Sequence, residues 1–480
     1  MESNKLEQYL DYSIGKRNYD QLARIQLFIP KKSIEDYKIA NKGKIRERVF
    51  SLETTLLGMI IQAGQEDKSK QNAVTILSKL HDDRKEKIKK DREKIIDATT
   101  EELGKNKAEG VIKMGRPQKR FLSVQKSKEK GISLYPSSYD EATIRYPTDL
   151  IKDIFHETTQ WNKIDDKNTI KWKDKNVYIV DGTTFRTQDT KPLREYFDCD
   201  RKKNNQPLPV GKMEGLINLY GGGLVAVVID KYTSSEGRMF KKLFNQIPSG
   251  TIVLADDLYS KYGYFSYCKK HSIDLITQKK SNDKEEIIRE ITGHDKIVKW
   301  ERGKTRKSVL YDNIEEMEES ILLRKIELID PAEPTRSIIL YTSLLDEHTY
   351  PAVDIIGLFF KRWEIEISFR QIKSILKMEY LRGKTVEMVK KEIYAHLILY
   401  NIIRKMLSED QTSASGYFPP SGSEVQVGVT MAKSAYVDKL GRSYHRWNAG
   451  RHKKGVTTES SQEKTRKKIS TSCKIVWQCK

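Results

Sequence analysis

The chain has 480 residues, 32% charged and 37% hydrophobic, too long for one ordinary domain and apolar enough for two to four real cores. Its 88 Lys and Arg against 67 Asp and Glu give a formal net charge of +21, which makes nucleic acid the leading partner, since phosphate contacts release counterions. No apolar run reaches the length of a membrane span, the opening MESNKLEQYLDYS lacks a secretion signal's apolar core, and the cysteines (Cys199, Cys268, Cys473, Cys479) form neither a disulfide framework nor a C-x-x-C zinc signature.

In chain order, helical text comes first. SLETTLLGMIIQ reads as a helix with Ser51 as N-cap. The charge run Arg84 to Lys94 reads as a solvated helix face. KMGRPQKR, from Lys113 to Arg120, reads as a basic linker, with minor-groove contact as the alternative. After Trp172 the texture changes. NVYIVDGTTF predicts a buried strand ending in a polar turn at Asp181-Gly182. MEGLINLY and GLVAVVIDKY flank Gly221-Gly222-Gly223 as a hairpin. EGRMFKKLFNQI predicts a helix, TIVLADD a strand, KYGYFSYCKKH a helix and IDLITQ a strand, together a mixed sheet with packed helices. Residues 281–350 are β-rich, with KIVKWERG, ILLRKIELI and RSIILYTSL between polar turns. A helix over FFKRWEIEISFRQIK follows, then an apolar helix at about Val386 to Met406. From about Ser408 the periodicity fails, and a basic, disordered or non-native tail is expected.

Three acids stand out. Asp181 follows VYIV and Asp256 follows TIVLA, positions at a sheet rim where a rigid backbone can aim a carboxylate. Glu366 lies in the later helix. Treated as one helix at about 100° per residue, Phe359, Arg362, Glu366 and Lys373 point within roughly 60° of one another, apart from the apolar stripe Ile365, Phe369, Ile372, Leu376. Carboxylates that converge need cations, and oxygen ligands favour Mg²⁺ or Mn²⁺, which in pairs support phosphodiester cleavage. Taken singly, an Asp at a strand end is ordinarily a turn or cap residue. Asp189, Asp198, Asp200, Asp230 and Asp257 fit similar slots; Asp256 is preferred over Asp257 because it directly follows the apolar run.

These blocks resemble bacterial insertion-sequence transposases of the IS-four family. The signature Y-x2-R-x3-E-x6-K is similar to Phe359, Arg362, Glu366 and Lys373, with Trp363 after the Arg. VDGTTFRTQDT and LADDLYSKYGYF resemble the two Asp blocks, and RGKT and YNIIRKM are also similar to family text. The gaps are 256 − 181 = 75 and 366 − 256 = 110 residues, the longer one suiting an insertion domain. The resemblance implies an α/β fold: a ribonuclease-H-like mixed-sheet catalytic core interrupted by a β-rich insertion, with an N-terminal helical domain. It implies a D-D-E triad of Asp181, Asp256 and Glu366 holding two Mg²⁺ or Mn²⁺ ions, with Phe359, Arg362 and Lys373 on DNA.

The expected boundaries are 1–150 for a helical region binding DNA ends, 151–280 and 351–408 for the core, 281–350 for the insertion and 409–480 for the tail. The implied reaction is cut-and-paste transposition: end nicking, hairpin formation and strand transfer on terminal inverted repeats and target DNA. A homodimer on paired ends, acting in the cytoplasm at the nucleoid with no membrane, is implied as well. Two departures count. Phe359 replaces the signature Tyr, and Ile338 stands where some relatives carry a base-stacking Trp, for which Trp300 or Tyr341 could substitute, though a core role fits either better. The rival readings are a nuclease without strand joining and an inactive DNA-binding relic.

Overall fold

A computed structural model describes residues 25–45, 50–65, 67–81, 135–161, 170–197, 208–279, 285–303, 310–311, 314–329, 337–376, 378–379 and 381–414. The charge run, the KMGRPQKR linker, RGKT, Asp198, Asp200 and the tail beyond 414 lie wholly or mostly outside these. The chain divides into two compact units, one of residues 1–251 with 363–414, the other built around 252–362.

The first unit opens with helices α1 (Lys32–Ala40), α2 (Leu52–Gly64), α3 (Pro136–Arg145) and α4 (Thr148–Gln160). Ser51 caps α2 as expected, its side chain accepting from the Thr54 amide at 3.2 Å. An antiparallel sheet follows in the order β3-β2-β1: β1 (Val177–Arg186), β2 (Val210–Asn218) and β3 (Leu224–Lys231), with α5 (Lys191–Phe197) after β1 and α6 (Glu236–Phe244) after β3. The β2–β3 turn uses Gly222 at φ +64°, a conformation that favours glycine. The side chain of Asn218 accepts from the amides of Tyr220 and Gly221 at 3.0 and 2.9 Å.

In the second unit, β4 (Ile252–Ala255) and β5 (Asp274–Lys279) pair in parallel across α7 (Tyr262–Lys270). Strands β6 (Glu286–Thr292), β7 (Asp295–Glu301), β8 (Ser320–Ile329) and β9 (Ser337–Thr342) continue that sheet antiparallel, in the order β4-β5-β9-β8-β7-β6. The β-rich stretch is thus hydrogen-bonded to β5 through β9. Its core holds Trp300 and Tyr341, 3% and 0% exposed, with ring centroids 4.8 Å apart. Their burial removes both from base stacking and confirms the core role. Arg324, also buried, donates to both carboxylate oxygens of Asp295 and to the carbonyl of Tyr350, just before α8 (Ala352–Phe360).

The fold is mixed α/β. Three antiparallel strands, a helix, and then β–α–β in parallel is the chain order of a ribonuclease-H-like core. The first unit closes with α9 (Trp363–Arg370), a π turn over Gln371–Ile375 and the long α10 (Val386–Ala414). Helix α10 packs on α2 and α4. It continues beyond the expected end near Ser408, because elongation adds one hydrogen bond per residue and needs no apolar pattern. The YNIIRKM motif reads the β2–β3 hairpin. The Tyr400 hydroxyl donates to the Gly222 carbonyl at 3.0 Å, and the Asn401 amide meets both the N–H and the C=O of Leu224 at 2.8 and 3.2 Å.

Candidate active site

Strand β1 does not end at Asp181. Gly182, Thr183 and Thr184 are polar and partly exposed, which reads as a turn, yet all remain paired with β2 through Arg186. Asp181 therefore sits in mid-strand, half-buried, its Oδ1 accepting from the Gly182 amide at 2.7 Å. Gly215 stands opposite Asp181, so both point to the same sheet face. On that face β2 reads Gly211, Met213, Gly215, Ile217. Each glycine makes room for an aromatic ring: a Cβ on Gly211 would overlap Phe185, and one on Gly215 would lie 2.9 Å from the Phe369 ring.

Phe369 belongs to α9, which packs against β1 on the face of Asp181. Glu366, half-buried, lies one turn before Phe369 on the same side of that helix. Beyond α9, the Lys373 ammonium donates to the Thr183 hydroxyl at 3.1 Å. Thr183 is two residues along β1 from Asp181 and shares its face. The first unit thus gathers Asp181, Thr183, Lys373 and the helix of Glu366 on one side of one sheet.

The single helix expected over Phe359–Lys373 is not there. Helix α8 stops at Phe360, Lys361 and Arg362 form a turn, α9 starts at Trp363, and the backbone widens into the π turn that holds Lys373. Helical rotation therefore cannot place Phe359 and Arg362 beside Glu366. The apolar stripe survives, with Ile365, Phe369, Ile372 and Leu376 all at most 4% exposed, because burial against the core selects these residues through the irregular backbone. The Leu376 amide closes the π turn on the Gln371 carbonyl at 3.0 Å. Turns of this width inside helices occur often at functional positions.

In the second unit, Phe359 is 6% exposed and the Arg362 guanidinium carbon lies 6.0 Å from its ring centroid. Asp256 follows β4 and caps a short turn, its Oδ1 accepting from the Leu258 amide at 3.0 Å, while Asp257 is exposed. Asp189 is held by the guanidinium of Arg194, which keeps its carboxyl below the usual range. The pKa of Asp230 is also lowered: burial opposes the shift, and hydrogen bonds from the Lys231 amide and Lys242 outweigh it. Among the described residues, no group of three or more His, Cys, Asp or Glu side chains stands close enough to hold a metal ion. The donors at the candidate acids are oxygens, the chemistry suited to Mg²⁺, which often takes one or two carboxylates and completes its shell with water and substrate phosphate.

Residues sequence reasoning passed over include Gly215 and Thr183. The signal for Gly215 was a glycine alternating with apolar residues inside a strand, which marks close approach by another element.

Residues 172–402 match the family described as Transposase DDE domain. The chain is 25% identical over 291 residues to transposase InsG of the insertion sequence element IS4 from Escherichia coli K12, covering 59% of this chain and 64% of InsG. It is 27% identical over 143 residues to the putative transposase InsZ of the same organism, covering 29% of this chain and 48% of InsZ. The chain thus spans less than two thirds of the length of either relative. The piggyBac transposase synaptic complex with hairpin DNA aligns over 93% of this chain and 88% of its own at 12% identity, with a TM-score of 0.39.

Proposed function

Because the chain belongs to the IS4-like transposases, with its DDE domain over residues 172–402, we propose that it moves an insertion sequence by cutting the element's DNA ends and joining them to target DNA. Asp181, Asp256 and Glu366 act as the carboxylate triad, and Phe359, Arg362 and Lys373 contact the DNA. The observation that carries this reading is the shared face of β1, where Asp181, the helix of Glu366 and the Lys373–Thr183 bond meet.

The three carboxylates would hold Mg²⁺ or Mn²⁺, two ions at full occupancy, which supply Lewis-acid activation of water or a 3′-hydroxyl and charge compensation at the leaving oxygen. The chain's own residues do the rest. The Lys373 ammonium, held by Thr183, stands ready to pair with a DNA phosphate, and a guanidinium such as that of Arg362 suits bidentate phosphate contact. Phosphate contacts of this kind fix the strand's register, so the scissile bond is presented to the acids in a defined orientation. Nicking exposes a 3′-hydroxyl, attack of that hydroxyl on the opposite strand makes a hairpin, and the reopened end joins the target. Each transfer exchanges one phosphodiester for another, so no energy-rich cofactor is needed. A homodimer on paired ends completes the proposal.

The test is a nicking and joining assay with Mg²⁺ on DNA bearing the inverted ends that flank the gene. Nicks, hairpins and joined products support the proposal. Nicks without joining would assign a nuclease, and binding without nicks an inactive relic.

A further inference from the structure

We propose that Lys68, distant in sequence from every motif above, is the positioning residue for Lys373, acting by gripping the backbone where the π turn closes. A lysine ammonium is seldom buried without a specific set of acceptors. Lys68 is 3% exposed, and its Nζ donates to the Leu376 carbonyl at 3.0 Å and to Nε2 of His396 at 2.8 Å. Its own carbonyl accepts from the Gln62 side chain at 2.7 Å, which ties it back to α2.

The proton assignment on His396 follows from its partners. Nδ1 lies 2.6 Å from the Glu392 carbonyl, an acceptor, so Nδ1 carries the hydrogen and Nε2 is left to accept from Lys68. Glu392 extends the network: its carboxylate accepts from the amides of Arg382 and Gly383 at 2.8 and 3.0 Å, fixing the loop after the π turn. Leu376 is therefore held from both sides, its amide by Gln371 within the turn and its carbonyl by Lys68 from outside the helix.

That outside grip matters because a π turn can relax to α geometry by shifting one residue, which rotates the following side chains by about 100°. Anchoring Leu376 opposes the shift and keeps Lys373 on Thr183, beside Asp181. The consequence for DNA cleavage rests on the function proposed above, whereas the consequence for the turn does not.

Hydrogen exchange of the full chain, measured by mass spectrometry, separates the two. In Lys68→Met, amides of the 371–379 segment are expected to exchange about tenfold faster, the scale of losing a hydrogen bond from a charged donor, while β1 to β3 keep their protection. Cleavage of the inverted ends should slow with the end-binding Kd unchanged. Lys68→Gln, which keeps a donor, should show a smaller increase and decides the matter where the Met variant does not fold. Unchanged exchange over 371–379, or loss of protection throughout the unit in both variants, overturns the proposal. Faster exchange in a protein whose unsubstituted form cuts no DNA leaves the positioning intact and rejects the transposase reading instead.

Discussion

Gly215 leaves open the volume that the ring of Phe369 fills, directly across the β1–β2 ladder from Asp181. The absence of one methyl group thus sets how closely α9, and Glu366 with it, can approach the sheet. Gly215→Ala puts a Cβ 2.9 Å from that ring, an overpacking expected to cost about 1–3 kcal/mol and to slow cleavage. Adding Phe369→Leu should recover part of the loss, so the pair should be non-additive by at least about 0.5 kcal/mol in urea denaturation. Additive effects would show that the two do not meet.

Asp181→Asn, Asp256→Asn and Glu366→Gln should each remove end cleavage while leaving end binding in place, a loss beyond the ~10–100-fold typical of residues outside the metal's own ligands. Chelation of divalent ions should copy the effect on the unsubstituted chain. Asp257→Ala should be mild. Cleavage retained in any one of the three removes that acid from the triad, and equal damage at Asp257 would transfer the role to it.

How much of this was legible in the sequence depends on what each stretch is read by. The stripe Ile365, Phe369, Ile372, Leu376 was visible because apolar spacing reports burial, and burial held even where the helix changed form. The interruption at Lys361–Arg362 was invisible because neither residue is a helix breaker. The continuation of β1 past Asp181 was hidden for the opposite reason: Gly182-Thr183-Thr184 looks like a turn, and only pairing with β2, a non-local interaction, keeps it extended. β6 escaped individual notice because its residues are almost all exposed and carry no alternation.

The Lys373–Thr183 bond predicts a salt signature. Lys373→Ala should lower the slope of log K against log[salt] for end binding by about one unit, as expected for one lost phosphate contact. Thr183→Val should leave the slope alone and slow cleavage, since the charge remains and only its placement is lost. Thr183→Ser, which keeps the hydroxyl, should behave as the unsubstituted chain. Filter binding across a salt series reads all three.

His396 gives a pH dependence. Burial first, and the neighbouring Lys68 ammonium second, push its pKa down to about 3 from 6.5. Between those values the unfolded chain binds a proton that the folded chain refuses. The stabilisation is therefore full above about pH 6.5 and falls as pH drops toward 3, by up to ~1.4 kcal/mol per unit. His396→Gln, which still accepts from Lys68 but does not titrate, should flatten this slope in urea midpoints taken from pH 7 to pH 4. Glu392, whose carboxyl is raised by burial, acts in the opposite sense and is present in both proteins, so the difference between them isolates His396.

Phe359 is mostly buried, so Phe359→Ala should cost about 3–5 kcal/mol in stability. Phe359→Tyr restores the hydroxyl of the family signature. A bond from it to a DNA phosphate would raise cleavage, by at most the ~1.5–3 kcal/mol of a charged hydrogen bond. A Tyr variant that is unstable and no more active would assign the ring to the core alone.

The π turn also changes what the signature's spacing means. A turn of this kind holds one residue more than the helix around it. The six positions between Glu366 and Lys373 therefore count backbone as well as charge, and the motif is in part a measure of chain length. A shortened copy lacking Ser374 could close the helix in α geometry, keep every charged residue of the signature and still mis-set all that follows, turning Leu376 and Met378 out of the core by about 100°. For this segment a deletion is the harsher change and a substitution the gentler one, although the residue lost bears no functional group in the motif.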